Sequence, residues 1–305
     1  MAIRQRDLAS LILAAICWGL GTVVSKAALA DFPPVTLLAI QLASSLVVLA
    51  ALMRSQRIAF RSPGPPLLSR LGLLNPGLSY ALGLLGLLSI TASVSVLLWA
   101  LEPVMILLLA AVLLRERVTP LIVALSVAAV AGVGLVIVDP GSIQVHLVGV
   151  ALSLAGVACC AIYTVLTRRF IPDAQETSQV VFAQQVYALV FAVGLGVVIG
   201  LVGGPVLPER VSALGLASAV ASGTLYYAGA YWLYLGALRR VPASIAAGSF
   251  YLIPIVGVTA GALLLAERLS AVQWLGAGVV LVSVLGILAR SIPATDAVPA
   301  VAPRN

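Results

Sequence analysis

Residues 99–117 read WALEPVMILLLAAVLLRER, and residues 250–268 read FYLIPIVGVTAGALLLAER. Both stretches hold an aromatic residue, a proline four residues on, an apolar run and a closing Glu-Arg pair. One register aligns them: Pro103 with Pro254, Glu116 with Glu267 and Arg117 with Arg268, each 151 residues apart. The same 151-residue offset joins Ser93 to Ser244, each after an alanine, and Tyr80 to Tyr231. Self-similarity over half the chain marks a fold made of two structural repeats.

Composition decides what solvent those repeats meet. Of 305 residues, 62% are hydrophobic and 9% charged, whereas soluble domains carry roughly 25% charged residues. Polar side chains are too few to cover a soluble globule, so the bilayer is the solvent of a polytopic, all-α membrane protein. The formal charge of +7 does not imply nucleic acid, because no basic patch is interleaved with aromatics. Cys17, Cys159 and Cys160 lie in apolar segments without metal-ligand spacing and read as small packing residues. No cofactor is expected.

Apolar segments long enough to cross ~30 Å of hydrocarbon fall at 8–30, 35–53, 67–88, 92–114, 119–138, 147–169, 177–201, 211–238, 243–265 and 271–290, which predicts ten helices. Arg4, Arg6, an apolar run and Ala28-Leu29-Ala30 together resemble a cleaved leader. The run is long enough to span and its loss would break the repeat, so it reads as the retained first helix. Fourteen of the 17 Lys and Arg residues then fall on the side of the N-terminus, leaving Lys26, Arg210 and Arg268 on the other. That bias places both termini in the cytoplasm. An odd number of helices per repeat makes the second repeat enter from the opposite side, inverted about an axis in the membrane plane. The repeats occupy 1–139 and 140–291, and the Ala- and Pro-rich tail 292–305 reads as disordered. Thr22-Val23-Val24-Ser25-Lys26 and Thr164-Val165-Leu166-Thr167-Arg168 extend the repeat to the first helices at an offset of 142.

These residues resemble a known family. Two five-helix repeats, a proline-bearing fourth helix, the run ending in Glu116-Arg117 or Ala266-Glu267-Arg268, and the following Gln273-Trp274-Leu275-Gly276 are similar to the EamA-type members of the drug/metabolite transporter superfamily. The first half departs from the pattern, since no Gln-x-x-Gly follows Thr119-Pro120. The resemblance implies a ten-helix transporter around a central cavity, and an exporter of amino acids, including aromatic ones, or related metabolites in the bacterial inner membrane.

Polar groups at membrane depth are costly, so each is a site candidate. Glu102 lies about ten residues into the fourth helix, and its repeat mate is Ile253, so the fold itself needs no acid there. It reads as a cavity carboxylate for a substrate ammonium or for proton coupling; a protonated packing residue is the competing account. Pro103 and Pro254 free the carbonyls of Trp99 and Phe250 and read as hinges, or as kinks for packing alone. Trp99, three residues before Glu102, is expected on the same helix face. Trp18, Tyr80, Tyr163, Tyr227, Tyr231 and Phe250 are read as further walls of a substrate-binding cage, against an alternative role as interfacial or core rings. Trp232 and Tyr234 read as packing, Lys26 and Arg168 as snorkelling chains, and Glu116 and Glu267 as helix caps or pairs. His146 reads as solvated loop.

The leading function is a secondary transporter working by alternating access on a small organic solute, without an ATPase of its own, since no Walker A pattern occurs; ten helices holding both repeats suffice for a monomer. Multidrug, cationic-solute or nucleoside export is the alternative within that class. A membrane enzyme on lipid-linked substrates would need a His, Asp or Ser constellation, which one histidine and acids placed nearly all at helix ends do not supply. No filter-like sequence marks a channel.

Overall fold

The computed structural model describes residues 5–60, 65–113, 119–137, 143–170, 177–238, 241 and 249–291. Among the described residues, ten helical segments fall in the ten predicted spans. They are α1 (Gln5–Ala28), α2 (Pro34–Ser55), α3 (pieces Pro66–Arg70, Leu71–Leu73, Leu74–Leu78 and Ser79–Leu87) and α4 (halves Ala92–Trp99 and Glu102–Leu113). Then come α5 (Pro120–Ile137), α6 (Ile143–Phe170), α7 (Thr177–Leu201), α8 (Ala213–Ser222, Gly223–Gly229 and Ala230–Leu238), α9 (Ser249–Tyr251 and Leu252–Leu264) and α10 (Ala271–Ser291). No strand occurs among the described residues. Six of these helices, within the described residues, are long and apolar enough by themselves to cross a membrane. Large apolar side chains on the outside, such as Val47, Leu201 and Leu263, are expected where lipid replaces water. Glu116, Arg117, Ser244 and the tail 292–305 lie outside the described residues, as do the side chains of His146 and Arg168.

Contacts between the two halves are reciprocal. Helix α1 packs on α8 and α9, and its mate α6 packs on α3 and α4. The pairs α2–α7, α4–α9 and α5–α10 each join a helix to its own mate. One apolar core lies among α1, α2, α3, α7 and α8, and a second among α4, α5, α6, α9 and α10. Helix α6 starts four residues earlier than the hydropathy pattern predicts, at Ile143.

The Gln273 motif acquires a physical reason. At the start of α10 the Ser270 N–H donates to Gln273 Oε1 at 2.9 Å while the Gln273 N–H donates to Ser270 Oγ at 3.2 Å, a reciprocal cap. Gln273 Nε2 then donates to the carbonyl of Val136 at the end of α5, at 3.1 Å. Three residues on, Gly276 meets Gly132 backbone to backbone, so close that a Cβ at Gly276 would sit 2.6 Å from the Gly132 carbonyl oxygen. The motif locks α10 to its mate.

Irregular backbone recurs at matching places. A kink interrupts α3 within Leu74–Leu78, where the backbone of Asn75 is extended (φ −143°, ψ 122°), and a π-turn interrupts α8 at Gly223–Gly229; the offset of 151 brings the two places into register. At membrane depth such turns persist only where neighbouring groups satisfy the backbone. Gly223 begins the second turn, where an added Cβ would drive into the backbone of Gln41 on α2. Gly223→Ala is therefore expected to destabilise the fold by roughly 1–3 kcal/mol, the usual cost of overpacking. A lowered midpoint in a detergent melt checks this, and an unchanged midpoint refutes the close α2–α8 packing.

Candidate functional site

The site begins with the break in α4. Pro103 has no N–H to donate, and its ring excludes the carbonyl one turn earlier. The first half therefore stops at Trp99; Ala100 and Leu101 turn, the Leu101 N–H donating to the Leu98 carbonyl at 3.0 Å. The second half starts at Glu102 with Pro103 as its second residue, a position where no N–H is needed. Glu102 thus opens a half-helix at membrane depth, beside unpaired backbone N–H groups that favour negative charge.

Two side chains of α6, four residues apart, hold that carboxylate. Cys160 Sγ and Thr164 Oγ1 each donate to Glu102 Oε1, both at 3.4 Å. Glu102 also lies within electrostatic reach of Tyr163, Tyr226 and Tyr234. Its side chain is half-buried.

Aromatic rings of the bundle interior pack in two groups. Towards the face where α1 ends, Tyr80 of α3 stacks on Trp99 at 5.1 Å between centroids and meets Tyr226 and Tyr227 of α8 edge-on at 5.3 and 5.2 Å. The π-turn of α8 carries both of those adjacent tyrosines. Towards the face where α1 begins, Trp18 meets Tyr231 and Phe250, both at 5.4 Å, and Tyr234 stacks on Phe250 at 4.9 Å. Tyr226 and Tyr231 bring their hydroxyls towards that of Tyr80, which joins the groups.

Several expectations change. Trp99 stacks on Tyr80 of α3, and Glu102, beyond the turn at Ala100 and Leu101, accepts from Cys160 and Thr164 of α6. Tyr163 stands apart from both ring groups, its hydroxyl donating to Gln184 Oε1 of α7 at 2.7 Å. Tyr234, read as packing, packs in the second ring group on Trp18 and Phe250. Cys160 is a partner of the acid, not filler. The sequence holds a signal for that partner: extended back four residues, the 142 offset maps Trp18 onto Cys160, and the 151 offset maps Ile253 onto Glu102. Trp18 packs on Ile253 in one half as Cys160 meets Glu102 in the other. Pro103 follows the break directly, whereas Pro254 is the third residue of Leu252–Leu264, after a 3₁₀ turn that includes Phe250.

The two ends of the central space differ. The face where α1 begins bears Arg6, Arg54, Arg57 and Arg70 and is the basic face. Here a cavity of ≈250 Å³ reaches inward to Tyr231 from the surface beside Gln56 and Gly236. On the far side a cavity of ≈30 Å³ lies among Thr22, Ser25, Tyr80, Trp99 and their neighbours. Polar ties draw the helix ends together beyond it. Glu267, following α9, accepts from the backbone N–H of Ala92 at 2.7 Å, from that of Ser93 at 2.9 Å and from the Ser93 hydroxyl at 2.6 Å. It caps α4 rather than its own helix. Lys26 donates to the carbonyl of Leu87 at 2.6 Å, closing α1 onto α3 instead of snorkelling free.

Asp31, in the loop after α1, accepts from the Ser212 hydroxyl and from the Ser212 N–H at 2.9 Å, where Ser212 caps α8. The Ser212 hydroxyl, then the Ser212 N–H, hold its carboxyl below the ordinary carboxylate range. A depressed folded-state pKa stabilises above the unfolded value and is lost as pH falls through the folded one. Asp31→Asn should thus lower the melting midpoint slightly at neutral pH, and the difference should vanish as the medium is acidified through the carboxylate range. A gap that persists unchanged to pH ~3 would refute the pairing.

Comparison with known proteins places this arrangement. A family model described as the EamA-like transporter family matches residues 7–138 and 147–289. An "Uncharacterized transporter" of Archaeoglobus fulgidus is 26% identical over 283 residues, covering 90% of this chain and 95% of the relative. A solved structure described only as "Crystal structure of protein" superposes with a TM-score of 0.63 at 18% identity, covering 94% of this chain and 99% of that one, which shows a shared fold.

Proposed function

Because the chain belongs to the EamA-like transporter family, we propose that it is a secondary transporter exporting small organic solutes, foremost aromatic amino acids, across the bacterial inner membrane. Its two repeats, divided near residue 139, rock about the central space, and the basic face lies in the cytoplasm with both termini. The protein acts as a monomer without an ATPase. The observation that carries this reading is Glu102: a carboxylate at a half-helix start, held by Cys160 and Thr164 in a bundle whose interior carries two groups of aromatic rings. Such a group attracts an ammonium, and the rings offer faces for a flat side chain.

The wide basic-face cavity and the tied far end describe the state that loads from the cytoplasm. Pro103 and Pro254 are the hinges at which α4 and α9 exchange that state for its opposite. The test is exchange of labelled phenylalanine, tyrosine and tryptophan in liposomes preloaded with unlabelled amino acids. Saturable exchange is expected; its absence from correctly inserted protein, with exchange of organic cations or nucleosides instead, would overturn the substrate class.

A further inference from the structure

The far-side cavity carries a hydroxyl that the fold does not use. A serine or threonine inside a helix commonly returns its proton to the carbonyl one turn back. On α1, Thr22 does so to Trp18 at 3.2 Å and Ser25 to Gly21 at 2.7 Å. Ser95, in the first half of α4, does not: its hydroxyl has no hydrogen-bond partner among the described residues. Ser95 is 3% exposed, and a polar group so buried and left unpaired is costly. Its oxygen keeps accessible surface, unlike the unpaired hydroxyls of Ser153 and Ser178, and Ser95 lines the ≈30 Å³ cavity together with Thr22 and Ser25. Around these three hydroxyls the wall is made of aromatic rings and of leucines such as Leu84 and Leu87, and among the described residues no charged side chain lines it.

We propose that this cavity is a binding site for one ordered water, which ties α1 to α4. Its volume exceeds the roughly 10–15 Å³ that a water needs, and a buried water seeks roughly two to four polar partners. The proton count closes on three. The hydroxyl protons of Thr22 and Ser25 are committed to carbonyls, so both oxygens can only accept, and the water donates to these two while accepting from Ser95. Ser25 already accepts from Gln41 Nε2 at 2.8 Å, which leaves its second lone pair for the water. A sodium or ammonium ion would meet the same oxygens without a carboxylate to balance it, and burying an unpaired charge is far more costly. The first half of α4 packs on α1, so the water adds a third tie to those made by Lys26 and Glu267. The transport reading enters only in what the water does there, as a tie that breaks when the far end opens; its binding stands apart from that reading.

A brief X-ray pulse splits ordered water into hydroxyl radicals, which oxidise the side chains beside it even where bulk solvent does not reach. The test applies such a pulse to the full chain in nanodiscs, in buffer free of sodium and ammonium. Oxidation of Trp99 or Tyr80, both walls of the cavity, is expected. Ser95→Val puts two methyl groups where the hydroxyl was and should lower that oxidation at least ~tenfold by displacing the water. The surface ring of Phe60, 52% exposed, should be oxidised equally in both proteins. Ser95→Ala cannot overfill the cavity; it removes the donor and should lower the oxidation about fivefold, the occupancy that one ordinary hydrogen bond supports. Should Ser95→Val fail to fold, Ser95→Ala decides alone. No oxidation of either ring in the wild type, or unchanged oxidation in the variants, overturns the proposal. Oxidation that appears only when sodium or ammonium is restored makes the ligand a cation and overturns the assignment to water. Wild-type exchange is run in parallel: no exchange with Ser95-dependent oxidation intact removes the transport reading and leaves this site standing.

Discussion

Glu102→Gln is expected to lower exchange of an amine-bearing solute by ten- to a hundredfold while leaving the protein folded. The substitution is isosteric and removes only the charge. A hydrogen bond to an ionised group contributes about 1.5–3 kcal/mol, which converts to that range of affinity. The half-helix that starts at Glu102 would keep its backbone, because the break is set by Pro103 and not by the acid. Cys160→Ala and Thr164→Val each remove one 3.4 Å contact to the same oxygen. They should cost less than tenfold each, since the charge remains. Kinetics of exchange in liposomes, with melting midpoints as a check on folding, separate these effects. Unaltered exchange in Glu102→Gln would make the acid a packing residue and remove the observation on which the substrate reading rests.

The second large effect concerns the far end. Glu267→Ala removes all three hydrogen bonds that tie the end of α9 to the start of α4. The group is half-buried, so the loss is put at about 2 kcal/mol rather than the full sum for charged hydrogen bonds. That shifts an open–closed equilibrium by roughly thirtyfold. A cysteine placed at Thr22, which lines the small far-side space, reports the shift after the native Cys17, Cys159 and Cys160 are replaced by serine. A membrane-impermeant thiol reagent added from that side should label it about thirtyfold faster in Glu267→Ala, in line with that shift. Gly261→Val should act in the same direction, because a Cβ at Gly261 would meet Glu267 Oε2 at 2.6 Å and Ser93 Oγ at 2.7 Å. Equal labelling in both variants and wild type would show that the ties do not hold the far end shut.

The covalent order of residues already determines much of this protein. A chain with 9% charged residues has no route to a soluble core, so apolar runs become spans. The 151-residue offset ties Pro103 to Pro254 and Glu116 to Glu267, which makes the halves repeats. Glu102 stands out because its mate is Ile253: an acid that the repeat does not require is visible without coordinates. The irregular turn of α8 was not legible in that way, because a π-turn differs from a helix by one hydrogen-bond register and leaves the hydropathy pattern untouched.

What only the tertiary structure decided is which groups meet. Helical spacing along α4 could not name the partners, Tyr80 of α3 for the ring of Trp99 and Cys160 and Thr164 of α6 for the acid of Glu102. Glu267 could have paired with the adjacent Arg268; it instead serves α4, whose N-terminus offers free N–H groups in fixed directions. Asp7 and Ser178 are 171 residues apart in the chain and share one cavity. Local sequence sets propensity and hydropathy, which act over a few residues; hydrogen bonds and cavities between helices depend on how whole helices cross, and that is settled only when the repeats pack.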